Sequence, residues 1–450
     1  MKKYSKIFSI FLCCIIAIGL LTPPVYALQS ARYELPLELN TASYLLVSLD
    51  TGEVIFQKDS DAQRTPASLT KMLTAYVTMK YITDLDGTMI TAPRYVYDEL
   101  FGQNASTADI RQGEVLSARN LLYALLLPSA NEAANILADY IGNGSIANFC
   151  MMMNSEAKKL GCENTNFSNP HGLFSANHYT TAQDMYLIAK ACYETPGFME
   201  IATTNTYQMP SNLKHTNPYY IQSTVKMQNK AFPSYYRSYV KGIKTGSLDE
   251  AGHNFVTVCE KNGEKYILVV MGVEYTNPDG SARSNSPAFE VTAQIMDYFF
   301  DNYTLKSANS LTSPVMEVPL KYAKDTDTLL LYSDNEVMSV LPNDVDESSF
   351  QKVYNLPEFA GAPIKAGDVI GTVDYFLAGQ KVGTSQLVSK TDIKRSPLMF
   401  VMEKIQEAFR SLYAKVVVAV TAVLIIIYIA YAYNRYKKYE KIQKVHRKRR

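Results

Sequence analysis

Tryptophan is absent from these 450 residues, histidine occurs five times and cysteine six, and neither sign of charge dominates: 44 Lys and Arg stand against 43 Asp and Glu. A formal net charge of +1 gives no general attraction for a polyphosphate, so nucleic acid is not expected as a partner. The histidines (His171, His178, His215, His253, His446) form no HExxH or other short ligand pair, which argues against a metal hydrolase; neither metal nor cofactor is expected. No CxxC occurs. Cys13 and Cys14 fall in an apolar run at the N-terminus, while Cys150, Cys162, Cys192 and Cys259 are too few and too dispersed for a disulfide scaffold. Their spacing leaves their pairing open. What is present, 47% hydrophobic against 19% charged residues, suits two folded domains with accessory segments.

Both ends carry apolar runs. Lys2, Lys3 and Lys6 precede the run Ile7 to Leu21, and Val25-Tyr26-Ala27 suits a cleavage site, so residues 1–27 read as a secretory signal. The alternative, an uncleaved anchor, is disfavoured by Pro23 and Pro24, which end the run early. Val416 to Tyr433 is uncharged and long enough for a hydrocarbon core of about 30 Å. Arg435, Lys437, Lys438, Lys441, Lys444 and the basic run from Arg447 to Arg450 follow it, a positive-inside pattern that places residues 434–450 in the cytoplasm and the globular part outside. Residues 395–415, chiefly Leu398 to Leu412, read as an amphipathic lead-in to the membrane.

Between these ends, Asp50-Thr51-Gly52 interrupts an apolar alternation from Tyr44 to Gln57 and predicts a hairpin. Helical spacing follows Pro66, with Leu69, Met72, Leu73, Tyr76, Met79 and Ile82 on one face. Further helices are expected at Ser117 to Leu126, Asn131 to Tyr140, Ile146 to Leu160, Thr181 to Tyr193 and Ala288 to Tyr303. Asn254 to Glu260 and Lys265 to Tyr275 flank Asn262-Gly263, a strong hairpin dipeptide. Hairpins at both ends of a helical stretch predict an α+β (broadly α/β) unit over residues 37–303, an antiparallel sheet covered by helices with a helical subdomain. Residues 311–394, with turns expected at Ala366-Gly367-Asp368, Ala378-Gly379-Gln380 and Val382-Gly383-Thr384, read as a small all-β domain.

A serine hydroxyl needs a base, and a lysine at i+3 on a helix shares its face; burial or neighbouring positive charge lowers such a lysine's pKa enough to serve. Ser68-Leu69-Thr70-Lys71 fits, although SxxK also begins at Ser155, Ser211, Ser223, Ser238 and Ser349. Ser68 is set apart by its place at the expected start of a helix, where free N–H groups and the dipole favour an oxyanion. Ser129-Ala130-Asn131, between two predicted helices, could relay a proton and bind an amide; Ser175, Ser307 and Ser333-Asp334-Asn335 match SxN or SDN too, the last as a turn of the β domain. Lys244-Thr245-Gly246 occurs once and is expected to precede the strand of the second hairpin, with Lys and Thr to hold a carboxylate and Gly to let a backbone approach.

SxxK, SxN and KTG in this order resemble the penicillin-binding protein and serine β-lactamase superfamily. Leu49 to Val54, Pro66 to Thr74, Asn169-Pro170-His171-Gly172-Leu173, Thr181 to Asp184 and Lys244-Thr245-Gly246-Ser247 with Ala251-Gly252 narrow the resemblance to the low-molecular-mass D-alanyl-D-alanine carboxypeptidases. Ala362 to Asp368 is similar to that family's C-terminal β domain. The resemblance implies Ser68 as acylated nucleophile, Lys71 as general base, Ser129 and Asn131 as relay and substrate-positioning pair, and Lys244 and Thr245 as binders of the terminal D-Ala carboxylate. It implies an oxyanion hole from the N–H groups of Ser68 and Ser247, stem peptides of peptidoglycan as substrate, and β-lactams as covalent inhibitors. Ser247 departs from the residue expected after KTG. His171 and Asp184 match family motifs but are expected to be structural. No ExxLN segment supports a class A β-lactamase; a D,D-endopeptidase shares all three motifs, and a non-catalytic wall-binding protein has no reason to keep them.

Overall fold

The computed structural model describes residues 30–276 and 286–447; the expected signal, with Cys13 and Cys14, and residues 448–450 of the basic tail lie outside the described residues. The chain divides into two units. The first extends to Leu305 and takes back Val340–Asn343, and the second comprises Lys306–Ser339 and Asp344 onward.

In the first unit five strands, β1 (Thr41–Ser48), β2 (Val54–Lys58), β3 (Val240–Leu248), β4 (Gly252–Lys261) and β5 (Glu264–Val273), form an antiparallel sheet in the order β2-β1-β5-β4-β3. Side chains alternate along a strand, and here both faces are buried. Leu45, Val47, Ile267, Val269 and Met271 enter one core, and Tyr44, Leu46, Tyr266, Leu268 and Val270 enter the other. This explains why these strands are apolar nearly throughout. The β4–β5 turn places Asn262 and Gly263 at φ +56° and +88°, the left-handed pair that Asn-Gly accepts at little cost.

On the first of these cores lie α1 (Thr70–Tyr81), α2 (Ala118–Leu126), α3 (Asn131–Ile141), α4 (Ile146–Lys159) and α5 (Ala182–Glu194); α6 (Pro287–Asn302) covers the other. Ser117, Ser145 and Thr181 cap α2, α4 and α5 by accepting from the backbone N–H three residues on. Contrary to the one-faced pattern expected of it, α1 buries Thr70, Lys71, Thr74 and Thr78 as well as its apolar residues. It is a central helix, and its hydroxyls find partners: Thr74 Oγ1 donates to the Pro170 carbonyl at 2.7 Å and Thr78 Oγ1 to that of Thr74 at 2.8 Å.

Two placements differ from the sequence reading. Ser68 precedes α1, in a 3-10 turn over Ala67–Leu69, because Ala67 at φ +49° departs from right-handed helical geometry. Lys244-Thr245-Gly246 precedes the hairpin strand β4 as expected, but it lies inside an edge strand of its own, β3, paired with Val256, Phe255 and Asn254 of β4.

The second unit holds β6 (Met316–Lys321), β7 (Thr328–Ser333), β8 (Gln351–Asn355), β9 (Ala360–Gly361), β10 (Val369–Leu377) and β11 (Gln380–Ser389), in the order β8-β10-β11-β7-β6-β9. Only the β6–β9 pairing is parallel among these. Val382-Gly383-Thr384, expected as a turn, is internal to β11; Gly383 is needed there because a methyl group would collide with Val337. Of Ser333-Asp334-Asn335, Ser333 ends β7 and Asp334 and Asn335 form the bend after it, with Asp334 Oδ1 accepting from the Gln386 N–H at 3.1 Å. α7 (Pro397–Arg410), capped by Ser396, precedes α8 (Leu412–Arg447), whose segment Leu412–Glu440 is long and apolar enough to cross a membrane. This helix runs past both ends of the expected 416–433 span, since the flanking Lys, Arg and Tyr residues oppose helix formation little.

Asn254 ties the sheet to the turn before Ser68. Its Nδ2 donates to the carbonyls of Thr65 and Pro66 at 3.0 and 3.1 Å, and its Oδ1 accepts from Gly272 N–H at 2.8 Å. Asn254→Ala should therefore destabilise the first unit by about 2 to 3 kcal/mol, since it strands buried partners. Chemical denaturation of the purified chain checks this, and a loss under about 0.5 kcal/mol, the range of ordinary surface substitutions, would show that the turn holds without it.

Candidate active site

The turn carrying Ser68 is clamped from two sides by glycines. A methyl group on Gly246 of β3 would stand 2.9 Å from the Pro66 carbonyl oxygen and 3.2 Å from Ser68 N. On Gly172, at φ +95°, it would collide with the Ala67 carbonyl. Both approaches need a residue without a side chain.

Lys71 is completely buried, with Nζ 3.0 Å from Ser68 Oγ and donating to the His171 carbonyl at 2.6 Å. Burial holds its pKa well below the ordinary amine range; the charge of Lys244 pushes the same way, and Glu132 opposes. Lys244 is equally buried, its Nζ donates to the Thr245 carbonyl at 3.0 Å, and burial brings its pKa down to about 7. An amine held well below its ordinary pKa beside a serine hydroxyl is suited to take that hydroxyl's proton, and a second amine near 7 can still receive an anion when protonated.

Ser129 occupies the bend between α2 and α3 at φ +68°, and its buried Oγ has no hydrogen-bond partner. Asn131 opens α3, buried, with its N–H on the Ser106 carbonyl at 2.8 Å. The next residue, Glu132, holds the neighbouring segment by accepting from Thr107 Oγ1 and Ala108 N–H, each at 2.7 Å. Thr224 joins this motif to β3: its N–H donates to the Leu127 carbonyl at 3.0 Å, and its Oγ1 accepts from Thr245 Oγ1 at 2.7 Å. The Ser247 hydroxyl meets His253 Nδ1 at 3.0 Å and Tyr275 OH at 2.9 Å.

Thr224, Asn254 and Glu132 were not legible in the sequence, for each acts across long chain separations and belongs to no short motif. Gly172 stood in a quoted motif, and its neighbour His171 contributes a backbone carbonyl to Lys71, which side-chain chemistry could not suggest. The His171 imidazole faces Glu99 at 3.1 Å. Asp184 lies apart at the start of α5, accepting from Thr165 Oγ1 at 2.6 Å and Asn164 N–H at 2.9 Å. Among the described residues no group of His, Cys, Asp and Glu could hold a metal ion, and Cys150, Cys162, Cys192 and Cys259 are buried free thiols.

A buried amine with a lowered pKa costs stability wherever it is protonated in the unfolded chain, a penalty absent above about 10.5, growing as pH falls and fully developed below the folded value near 7. Lys244→Met should therefore stabilise the protein by a few kcal/mol, on the order of 1.4 per pKa unit before relaxation, near and below neutral pH, and by far less in strong alkali. Thermal melts of both forms across pH check this; a gain that does not shrink with rising pH would show packing, not charge, at work.

A family model described as D-alanyl-D-alanine carboxypeptidase matches residues 29–275, and one described as penicillin-binding protein 5, C-terminal domain, matches residues 300–395. The D-alanyl-D-alanine carboxypeptidase DacF of Bacillus subtilis is 26% identical over 385 residues, 85% of this chain and 94% of its own length. A D-alanyl-D-alanine carboxypeptidase of a Streptomyces species is 31% identical over 257 residues, covering 56% and 84%. Among solved structures, penicillin-binding protein 5 of Haemophilus influenzae shares the fold, with a TM-score of 0.59 at 24% identity over 80% of this chain and 99% of that one. With the first family model covering more than half of its length, the chain belongs to the D-alanyl-D-alanine carboxypeptidase family of low-molecular-mass penicillin-binding proteins.

Proposed function

We propose that the protein removes the terminal D-Ala from peptidoglycan stem pentapeptides through an acyl-enzyme on Ser68. The observation that carries this reading is the buried Lys71 amine 3.0 Å from Ser68 Oγ, beside a second buried lysine on the strand that Gly246 lets against the same turn. In this reading neutral Lys71 takes the hydroxyl proton as Ser68 Oγ attacks the penultimate D-Ala carbonyl. Ser129 passes a proton to the departing D-Ala amine, and water then frees the enzyme. The N–H groups of Ser68 and Ser247 receive the oxyanion, a contribution of about 3 to 4 kcal/mol per donor. Asn131 binds a substrate amide, and Lys244 and Thr245 take the free carboxylate. Thr245 would exchange its bond to Thr224 for one to the substrate. In the same reading the tail is cytoplasmic and the catalytic unit outside, an orientation supported by the basic residues that follow α8's apolar stretch.

Two measurements test the reading. Purified ectodomain incubated with benzylpenicillin should gain the drug's mass on Ser68, and Ser68→Ala should abolish both this adduct and D-alanine release from a pentapeptide. No adduct with rapid drug hydrolysis would point to a β-lactamase instead, and no adduct with intact drug to a non-catalytic protein. Activity should also depend on pH in a substrate-specific way. Lys71 must be neutral, so kcat/KM falls toward acid; Lys244 must be charged to hold a carboxylate, so kcat/KM also falls as pH rises past about 7. A peptide with an amidated C-terminus should react more slowly and lack the alkaline decline, and the same decline in both would remove Lys244 from carboxylate binding.

A further inference from the structure

Glu99 stands on the 3-10 turn Arg94–Leu100, outside every motif discussed above, and half of its side chain is exposed. Its Oε1 accepts from Asn135 Nδ2 of α3 at 2.7 Å and lies 3.1 Å from Nε2 of the buried His171. The imidazole's protonation follows from its other contact. Leu173 N–H donates to Nδ1 at 3.1 Å, so Nδ1 bears a lone pair and Nε2 the proton that it donates to Glu99. Burial, which lowers the His171 pKa, keeps the ring in that neutral form.

The backbone of the same residue meets Lys71. A neutral amine has two N–H bonds and one lone pair. With one N–H on the His171 carbonyl at 2.6 Å, its rotation is restricted and the lone pair can face Ser68 Oγ–H at 3.0 Å. The segment carrying that carbonyl is also tied by Asn169, which accepts from Gly172 N–H at 2.6 Å and donates to the Leu173 carbonyl at 2.9 Å. Of these ties, the carboxylate is the one supplied from a different part of the chain to the His171 side chain itself.

We propose that Glu99 is a positioning residue for acyl transfer, fixing through the His171 imidazole the carbonyl that orients Lys71. The proposal rests on Ser68 and Lys71 acting as nucleophile and base. The other charged and titratable groups around Lys71 are Lys244 from β3, Glu132 from α3 and the imidazoles of His171 and His178, and of these only His171 contacts Glu99. A carbonyl acceptor favours the ammonium form, so loosening it lowers the Lys71 pKa further and moves the acid limb of acylation to lower pH.

The test compares Glu99→Ala and Glu99→Gln with the wild-type full chain in detergent, by rapid-mixing acylation with benzylpenicillin at varied drug concentration and pH. In Glu99→Ala the rate constant at saturating drug should fall about 10- to 100-fold, as expected for a misplaced base, while noncovalent affinity stays within about threefold. Its acid limb should shift to lower pH. Glu99→Gln, which keeps an oxygen to accept from His171, should restore most of the rate. A wild-type rate and limb in Glu99→Ala, whatever its melting temperature, would overturn the proposal, as would an equal loss in Glu99→Gln. Failure of the wild-type chain to form a Ser68 adduct would instead remove the underlying reading, and the proposal with it.

Discussion

Two lysines without exposed surface, Lys71 and Lys244, bear on each other's charge in one site, and much of the first unit's architecture serves to keep them there. Removing an ammonium group from water is among the most expensive things a fold can do, and among the described residues neither amine forms an ion pair with a carboxylate. The arrangement persists because the amines shed protons readily and because the surrounding cores leave them nowhere to go. α1 is held on all sides, the sheet is buried on both faces, and the Ser68 turn is fastened by Asn254 from β4 and closely approached by Gly246 and Gly172. Burial thus favours the neutral form of Lys71, the form that the proposed mechanism requires of its base.

Much of this was legible in the chain. The hairpins at Asp50-Thr51-Gly52 and Asn262-Gly263, the helices after Ser117, Ser145 and Thr181, and the nucleophile candidate came from patterns local enough to be read from neighbours. What escaped was set by distant partners. Nothing near Thr224 reveals that it meets Leu127 and Thr245, and nothing near Gly383 reveals the close approach of Val337 that turns an expected loop into strand. The amphipathic spacing of α1 was real, yet its polar face was also buried, because the threonines could satisfy their hydroxyls on carbonyls at hand. KTG was expected ahead of the hairpin strand with its glycine admitting a backbone; that it lies in an edge strand of its own escaped, because β3's pairing with β4 is not marked by a short turn signal of the Asn-Gly kind.

The second unit shows a different economy. Its small sheet is closed by short turns, with Ala378 and Gly379 both left-handed between β10 and β11, and among its described residues no nucleophile, base and acid converge. α8 begins directly after Ser411, whose extended backbone ends α7. A chain with this order can attach itself to a bilayer without asking its catalytic unit to carry apolar surface.

Two departures from ordinary backbone rules in the first unit fall at the SxxK and SxN motifs. Ala67 and Ser129 are both left-handed without being glycine, a conformation that costs on the order of a kcal/mol or more each. The Ser129 hydroxyl is buried with no partner, a further penalty of about 1 to 3 kcal/mol. The buried hydroxyls of Thr74 and Thr78 find carbonyls, whereas Thr292 Oγ1 and Tyr219 OH share the condition of Ser129. Ser129 stands in the bend between α2 and α3 that the proposed reading assigns to proton relay, so in that reading its buried hydroxyl is available to a group brought by the substrate. A substrate amide that completed this bond would be held more tightly than its own contacts alone provide, because binding would also relieve a cost already present in the empty site.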